Sequence, residues 1–254
     1  MHRLIIYGIP IKMEETYFRK ILILPVLIFI IICFSCSKKT SDDPTMSDIW
    51  DIDKDSIPKF VDTNYIELSK IHMISKYRSS IGHDYSDFTE HCRSMKHYFE
   101  PYNDIDWSSV KICCPVTGVI TRVEEETYGT KVEIASQKYP AFRFQIFHVN
   151  LGAPRFVNEP VQAGESLGTH IGSYTYSDIS VIVNDPTKQG RMVSYFQVIT
   201  DKVFSEYQNR GITARTDLII SKELRDANPL TCSGDTFTSG DVLENWVTLD
   251  MNKN

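Results

Sequence analysis

Between Val110 and Val183 the chain is cut into short runs that alternate apolar and polar residues, most of them closed by glycine-containing turns. A period of two places successive side chains on opposite faces of an extended strand, so one face of each run can enter a core. Lys111-Ile112-Cys113-Cys114-Pro115 leads into a turn at Val116-Thr117-Gly118, and residues 119–124 alternate after it. Tyr128-Gly129-Thr130 makes the next turn, followed by alternating Lys131-Val132-Glu133-Ile134-Ala135. Residues 142–149 form a third run, with Phe142, Phe144 and Ile146 on one face. Residues 161–168 read as a tight turn entering a short strand, and 180–183 as a buried strand. Short strands at this spacing predict a mainly β domain, a small antiparallel barrel or sandwich.

The flanking segments have a different texture. Residues 66–77 suit either a short helix or an extended lead-in, and residues 87–98, without Gly or Pro, are compatible with a helix. Beyond Gly190, residues 192–198 are a strand candidate. Thr200 or Asp201 can cap a helix carrying Val203, Phe204 and Tyr207 on one side and ended by Gly211, and Ser221–Asp226 suggests another helical turn. This tail carries enough aromatic and aliphatic residues to pack onto the β domain as a short α+β extension. Glu124-Glu125-Glu126 reads as a solvated turn.

The amino-terminal third has another character. Ile21–Phe34 is an uncharged apolar run preceded by Arg19-Lys20, too short to span a bilayer comfortably but suited to the core of a secretory signal. It ends in Cys33-Phe34-Ser35-Cys36, which resembles a bacterial lipobox with Cys36 as the lipidated first residue; Met13 is a second plausible start. Residues 1–35 contain Arg3, Lys12, Arg19 and Lys20 but only Glu14 and Glu15, so their removal takes the net charge from −6 to −8. That acidic balance argues against nucleic acid or a polybasic membrane surface as a partner. Polar, acidic residues from Ser37 to Pro58 read as a flexible tether. The domain plan is therefore a signal over 1–35, a tether over 36–60, a β domain over 61–190 and an extension over 191–254.

Apart from Cys33 and Cys36 there are four cysteines, Cys92, Cys113, Cys114 and Cys232, an even number that fits export. Neighbouring Cys113 and Cys114 point to opposite faces of a strand, so they do not suit each other as partners. None of the four stands in a C-x-x-C pair. Cys92 and Cys232, in polar surroundings, are the expected disulfide, closing a loop of roughly 140 residues worth about 3–5 kcal/mol in the chain-entropy model.

Five elements then occur in order. They are Gly82-His83-x-x-x-Asp87-Phe88, Pro115-x-x-Gly118-Val119-Ile120, Gly129-x-x-Val132-x-Ile134, Phe147-His148-Val149-Asn150-Leu151 and Val161-x-Ala163-Gly164-Glu165-x-Leu167-Gly168. Over residues 80–185 this order and spacing resemble the M23 (lysostaphin-like) zinc metallopeptidases. The resemblance implies a β domain of the duplicated-hybrid-motif type, residues 88–109 as an insertion, His83 and Asp87 as zinc ligands, and His148 as a further active-site histidine. It fails at the late H-x-H motif, where the strand reads Ser177-Asp178-Ile179-Ser180. Ser180 stands where the third ligand belongs and Asp178 where a catalytic histidine belongs.

A catalytic zinc needs three protein ligands and an open position for water. A neutral serine hydroxyl is a poor substitute for imidazole, which leaves His83 and Asp87 as an incomplete site. Asp178 could supply a third ligand, or His91 could share a helical face with His83 and Asp87. His72, His91, His97 and His170 are otherwise expected to be surface or structural.

The leading expectation is a lipid-anchored protein of the bacterial cell envelope, at the outer membrane or cell surface rather than the inner membrane. Its degenerate M23-like domain would bind peptidoglycan or an envelope partner without hydrolysis and without a cofactor. The alternative is an active zinc metallo-endopeptidase with substitute ligands, in which His148 is catalytic. A structural or adhesive surface lipoprotein is the third reading.

Overall fold

The computed structural model describes residues 48–188 and 190–251, within the compact unit Pro44–Asn254. The apolar run Ile21–Phe34, Cys36 and the start of the tether lie outside the described residues. Among the described residues no helix is long and apolar enough to cross a membrane.

A 3₁₀ turn at Leu68–Lys70 leads into β1 (Ile71–Ser75), which pairs with β2 (His97–Pro101). After β3 (Lys111–Cys113) come three long antiparallel neighbours, β4 (Gly118–Glu126), β5 (Gly129–Ser136) and β6 (Phe142–Leu151). β7 (Pro160–Val161), β8 (Ser166–His170), β9 (Ser177–Val183) and β10 (Arg191–Val193) follow. The extension begins with α1 (Tyr195–Val198), α2 (Asp201–Gln208) and α3 (Lys222–Ala227). Ser194, Thr200 and Ser221 cap these helices by accepting from the backbone N–H of Phe196, Val203 and Leu224 respectively. A small hairpin of β11 (Cys232–Ser233) and β12 (Thr236–Phe237) precedes β13 (Trp246–Thr248). The main sheet runs β13-β1-β2-β9-β6-β5-β4-β7, with β8 bridging β3 and β6 and β10 on β9. The mainly β expectation therefore holds; beyond residue 190 the chain adds β10 to β9 and β13 to β1.

Alternation sorts the strand residues as read. Val132, Ile134, Phe142, Phe144, Ile146, Ile179, Val181 and Val183 are buried in one core with Phe99, Phe196, Val203 and Tyr207. Removal of this apolar surface from water is the main favourable contribution to folding. The other face of the same strands carries Glu133, Gln145, Asp178 and Ser180, also buried. A segment running from Tyr77 to Lys96 covers it, tied down by the disulfide between Cys92 and Cys232. Cys113 is a half-buried free thiol; Cys114 is fully buried, and burial pushes its thiol up to about 12.

Several expectations are corrected. Residues 87–98 are turns followed by β2, not a helix: Asp87 accepts from the backbone N–H of Thr89, a local bond that competes with helical pairing. His83, Asp87 and His91 therefore share no helical face. Residues 88–109 do not stand apart from the sheet, since they supply β2, which lies between β1 and β9. The tether over 36–60 stops short of its expected end, because Trp50 packs edge-on against Tyr139 and Phe142, and Phe60 is buried beside Phe144. Residues 192–198 end as a strand at Val193, where Ser194 and Gln197 form a capping box. Glu124, Glu125 and Glu126 close β4, and the turn comes at Thr127-Tyr128.

Candidate functional site

The polar face is assembled by register. Asp178 of β9 pairs with Tyr98 of β2, and Ser180 of β9 with Gln145 of β6. Gln145 in turn pairs with Glu133 of β5. Asp178 and Ser180 are two residues apart and so face the same way. In β6 two residues, Phe147 and His148, fall opposite Lys131, the irregularity of a β-bulge. His148 takes φ +61° there, which turns its ring out of the strand's alternation and toward Asp178.

Tyr85, Ser180, Gln145, Glu133 and Thr121 are joined in one chain of hydrogen bonds. Tyr85 Oη and Ser180 Oγ both donate to Gln145 Oε1, at 2.6 and 3.0 Å. Gln145 Nε2 donates to Glu133 Oε2 at 2.9 Å, and Thr121 Oγ1 donates to Glu133 Oε1 at 2.8 Å. Burial pushes the Tyr85 hydroxyl well up, so it stays a donor. The serine at the expected third-ligand position has thus committed its proton to an amide oxygen.

Asp178 is completely buried, and its counter-ion is Lys96. The ammonium lies 2.8 Å from Asp178 Oδ2, with 3% of the lysine side chain exposed. The same nitrogen sits 3.5 Å from the centre of the Phe147 ring and 4.1 Å from that of Tyr85. Ring faces are negative, so two aromatics and a carboxylate enclose the cation in place of water. On the other carboxylate oxygen, His148 Nε2 approaches Oδ1 at 3.2 Å without the alignment of a hydrogen bond, leaving Oδ1 without a hydrogen-bond donor. Nδ1 of His148 donates to the carbonyl of Tyr128 at 2.8 Å.

The two residues read as metal ligands lie elsewhere in this arrangement. His83 Nδ1 donates to the Asp84 carbonyl at 2.9 Å, and its ring stands edge-on to Tyr85. Asp87 is buried and fully engaged: Oδ1 accepts from the N–H and hydroxyl of Thr89, and Oδ2 from the N–H of Met192. Among the described residues no three His, Cys, Asp or Glu side chains converge as a metal-binding group. The donor set does not fit zinc: one carboxylate holds backbone N–H groups, the other holds an ammonium, and the hydroxyl has been spent on Gln145. His148 and Asp178 are brought together; His83 and Asp87 are not brought to them.

Sequence reasoning missed Lys96, Gln145 and Glu133. Lys96 interrupts the run Met95-Lys96-His97-Tyr98-Phe99, and a lone cation among aromatics was a usable signal. Gln145 and Glu133 occupy the alternate positions of strands whose other face was read correctly. Of the remaining histidines, His97 is buried between the Ser75 carbonyl and the Ser194 hydroxyl, and burial pushes it down to about 4. His170 is buried against Trp107 with ring centres 4.1 Å apart, and burial lowers it to about 4 as well. His72 stacks on Tyr102. These three are structural.

No family model and no curated protein matches the sequence. Three solved structures illustrate what the chain is similar to. A putative glycyl-glycine endopeptidase LytM from Ruminococcus gnavus shares 15% identity over 40% of this chain and 43% of its own, with a TM-score of 0.33. The M23 metalloprotease pseudoalterin from the deep sea shares 18% identity over 56% and 75% of the two chains, with a TM-score of 0.34. The SpoIIQ–SpoIIIAH pore-forming complex matches at 10% identity over 59% and 97%, with a TM-score of 0.40. The chain spans less than half the length of the first of these.

Proposed function

We propose that this is a lipid-anchored cell-envelope protein whose M23-like β domain binds peptidoglycan or an envelope partner and does not hydrolyse it. The observation that carries this reading is the Lys96 ammonium seated on Asp178. Asp178 stands where the resemblance calls for a catalytic histidine, and its charge is already balanced from within the chain. A divalent ion brought within 4 Å of that ammonium would meet a repulsion of roughly 8 kcal/mol at an effective dielectric near 20. Ser180 adds a neutral hydroxyl where an imidazole would be needed. What remains is a buried polar network balanced from within the chain, which supports a role without hydrolysis. The anchor rests on the apolar run before Ser35-Cys36.

The test uses the purified full chain. Zinc well below one equivalent, no release of peptides from cell-wall sacculi, and co-sedimentation with those sacculi are the expected results. Stoichiometric zinc that is lost in His83→Ala together with sacculus hydrolysis would establish the peptidase reading instead. A Cys36→Ser variant should lose membrane association; unchanged fractionation would remove the anchor from the proposal.

A further inference from the structure

Away from Lys96, a cavity of about 360 Å³ opens between the end of β2 and the loop before β9, lined by Glu100, Trp107, Tyr174, Thr175 and Tyr176 among others. Its floor is rigid. Trp107 is stacked on His170, and its indole N–H donates to the Thr175 carbonyl at 2.9 Å. Tyr176 is held by edge-on contacts with Tyr98 and Trp246. Tyr174 is 82% exposed and lies parallel to Tyr128, at the loop whose carbonyl holds His148.

The charge in this cavity is one-sided. Glu100 is half-buried in the β1–β2 ladder, and its carboxylate makes no hydrogen bond or ion pair with any other described residue. Glu100 and Tyr176 line the same cavity, and burial first, then the charge of Glu100, push the Tyr176 hydroxyl up. No lysine or arginine lines the cavity. A carboxylate without a side-chain partner, set among electron-rich rings, gives a lining that attracts a cation and repels an anion. The volume suits a side chain. Rings on its walls also favour an alkyl stem behind the charge.

We propose that this cavity binds a primary ammonium on an alkyl stem, as carried by a lysine-type side chain of a peptide, with Glu100 as counter-ion and Trp107, Tyr174 and Tyr176 as walls. The ligand class deepens the binding reading above and rests on it for the source of the peptide, while the chemistry of the cavity stands apart from the barrel's polar face.

Calorimetric titration of the full chain with Nα-acetyl-lysine methylamide tests it, against the uncharged Nα-acetyl-norleucine methylamide and an N-acetylglucosamine oligomer. The lysine probe should bind, with the norleucine probe at least about tenfold weaker, as loss of a charge-assisted contact requires. Glu100→Gln should weaken the lysine probe by about tenfold or more, and Tyr174→Ala by roughly three- to tenfold, with thermal midpoints unchanged. Equal binding of the two amino-acid probes, retention of affinity in Glu100→Gln, or no lysine binding at all would overturn the assignment. Preference for the sugar oligomer would overturn it in favour of a glycan platform. Lysine-probe binding in a chain that fails to sediment with sacculi would sink the peptidoglycan source and leave the cavity's chemistry standing.

Discussion

The two faces of the sheet are equally buried and are held together by different physics. On one side Phe142, Phe144, Ile146, Ile179 and Val181 pack against Phe60, Phe99 and Phe196, and each contact is non-directional. On the other, Glu133, Gln145, Ser180, Asp178 and Lys96 are joined through named donors and acceptors. An apolar face loses stability in proportion to the volume removed. A buried polar face depends on completeness, because one missing partner leaves another group dry and unanswered. The difference teaches where this sequence is tolerant and where it is brittle.

The sharpest way to break the comparison is to remove one large group from each face. Lys96→Met and Phe144→Ala should each cost about 3–5 kcal/mol, the first by leaving Asp178 as an uncompensated buried charge and the second by opening a cavity. Only the first loss should be reversible at its partner: Lys96→Met with Asp178→Leu should recover most of the stability, since a packed apolar pair is often as stable as a buried ion pair. Urea denaturation of the two single variants and the double variant measures this. A double variant no more stable than Lys96→Met would show that the polar face is not held by pairing.

Acid should come next in size. His97 and His170 are buried with ordinary values of 6.5 lowered to about 4, so the unfolded chain takes up protons first. Their contribution is intact above about pH 6.5 and is lost as pH falls from there to about 4, at a cost on the order of 3 kcal/mol for His97. Denaturation across pH 4–7 should show this slope, and His97→Gln should flatten it; an unchanged slope would contradict the burial of His97.

Gly82 tests the cover over the polar face. Its φ is +76°, and a Cβ there would lie 2.2 Å from Tyr98 Oη, so Gly82→Ala should cost about 1–3 kcal/mol by displacing Tyr98. Tyr85→Phe is the mildest change. It removes one donor from Gln145 while Ser180 still donates, so the loss should be about 1 kcal/mol in the same denaturation assay.

What the sequence made legible follows the same division. The apolar face announced itself, because Phe142, Phe144 and Ile146 alternate with polar residues and hydrophobic periodicity is a local signal. The cap at Thr200 was readable as a local signal too, and the Cys92–Cys232 bond from the cysteine set, since Cys113 and Cys114 do not suit each other and the other two stand in polar surroundings. Lys96 with Asp178 was not, since the two are 82 residues apart and only the tertiary register of β2 on β9 brings them together. His83-x-x-x-Asp87 was legible as a motif but not as a site. The fate of Asp87 was decided by the N–H of Met192, a backbone group 105 residues away that no pattern exposes. Residues 87–98 were misread because freedom from Gly and Pro permits a helix without requiring one.

The bond between Cys92 and Cys232 also has a topological consequence. The segment between them holds β2 through β10 and the helices α1, α2 and α3, so a single cut by a protease anywhere in that stretch yields no separate fragment. Both pieces remain one covalent molecule, with β1 on the same piece as Cys92 and β13 on the same piece as Cys232. Because β1 and β13 pair with each other, the nicked chain is closed twice, once by sulfur and once by a β-ladder. A nicked chain would therefore migrate as a single species without reductant and as two with it.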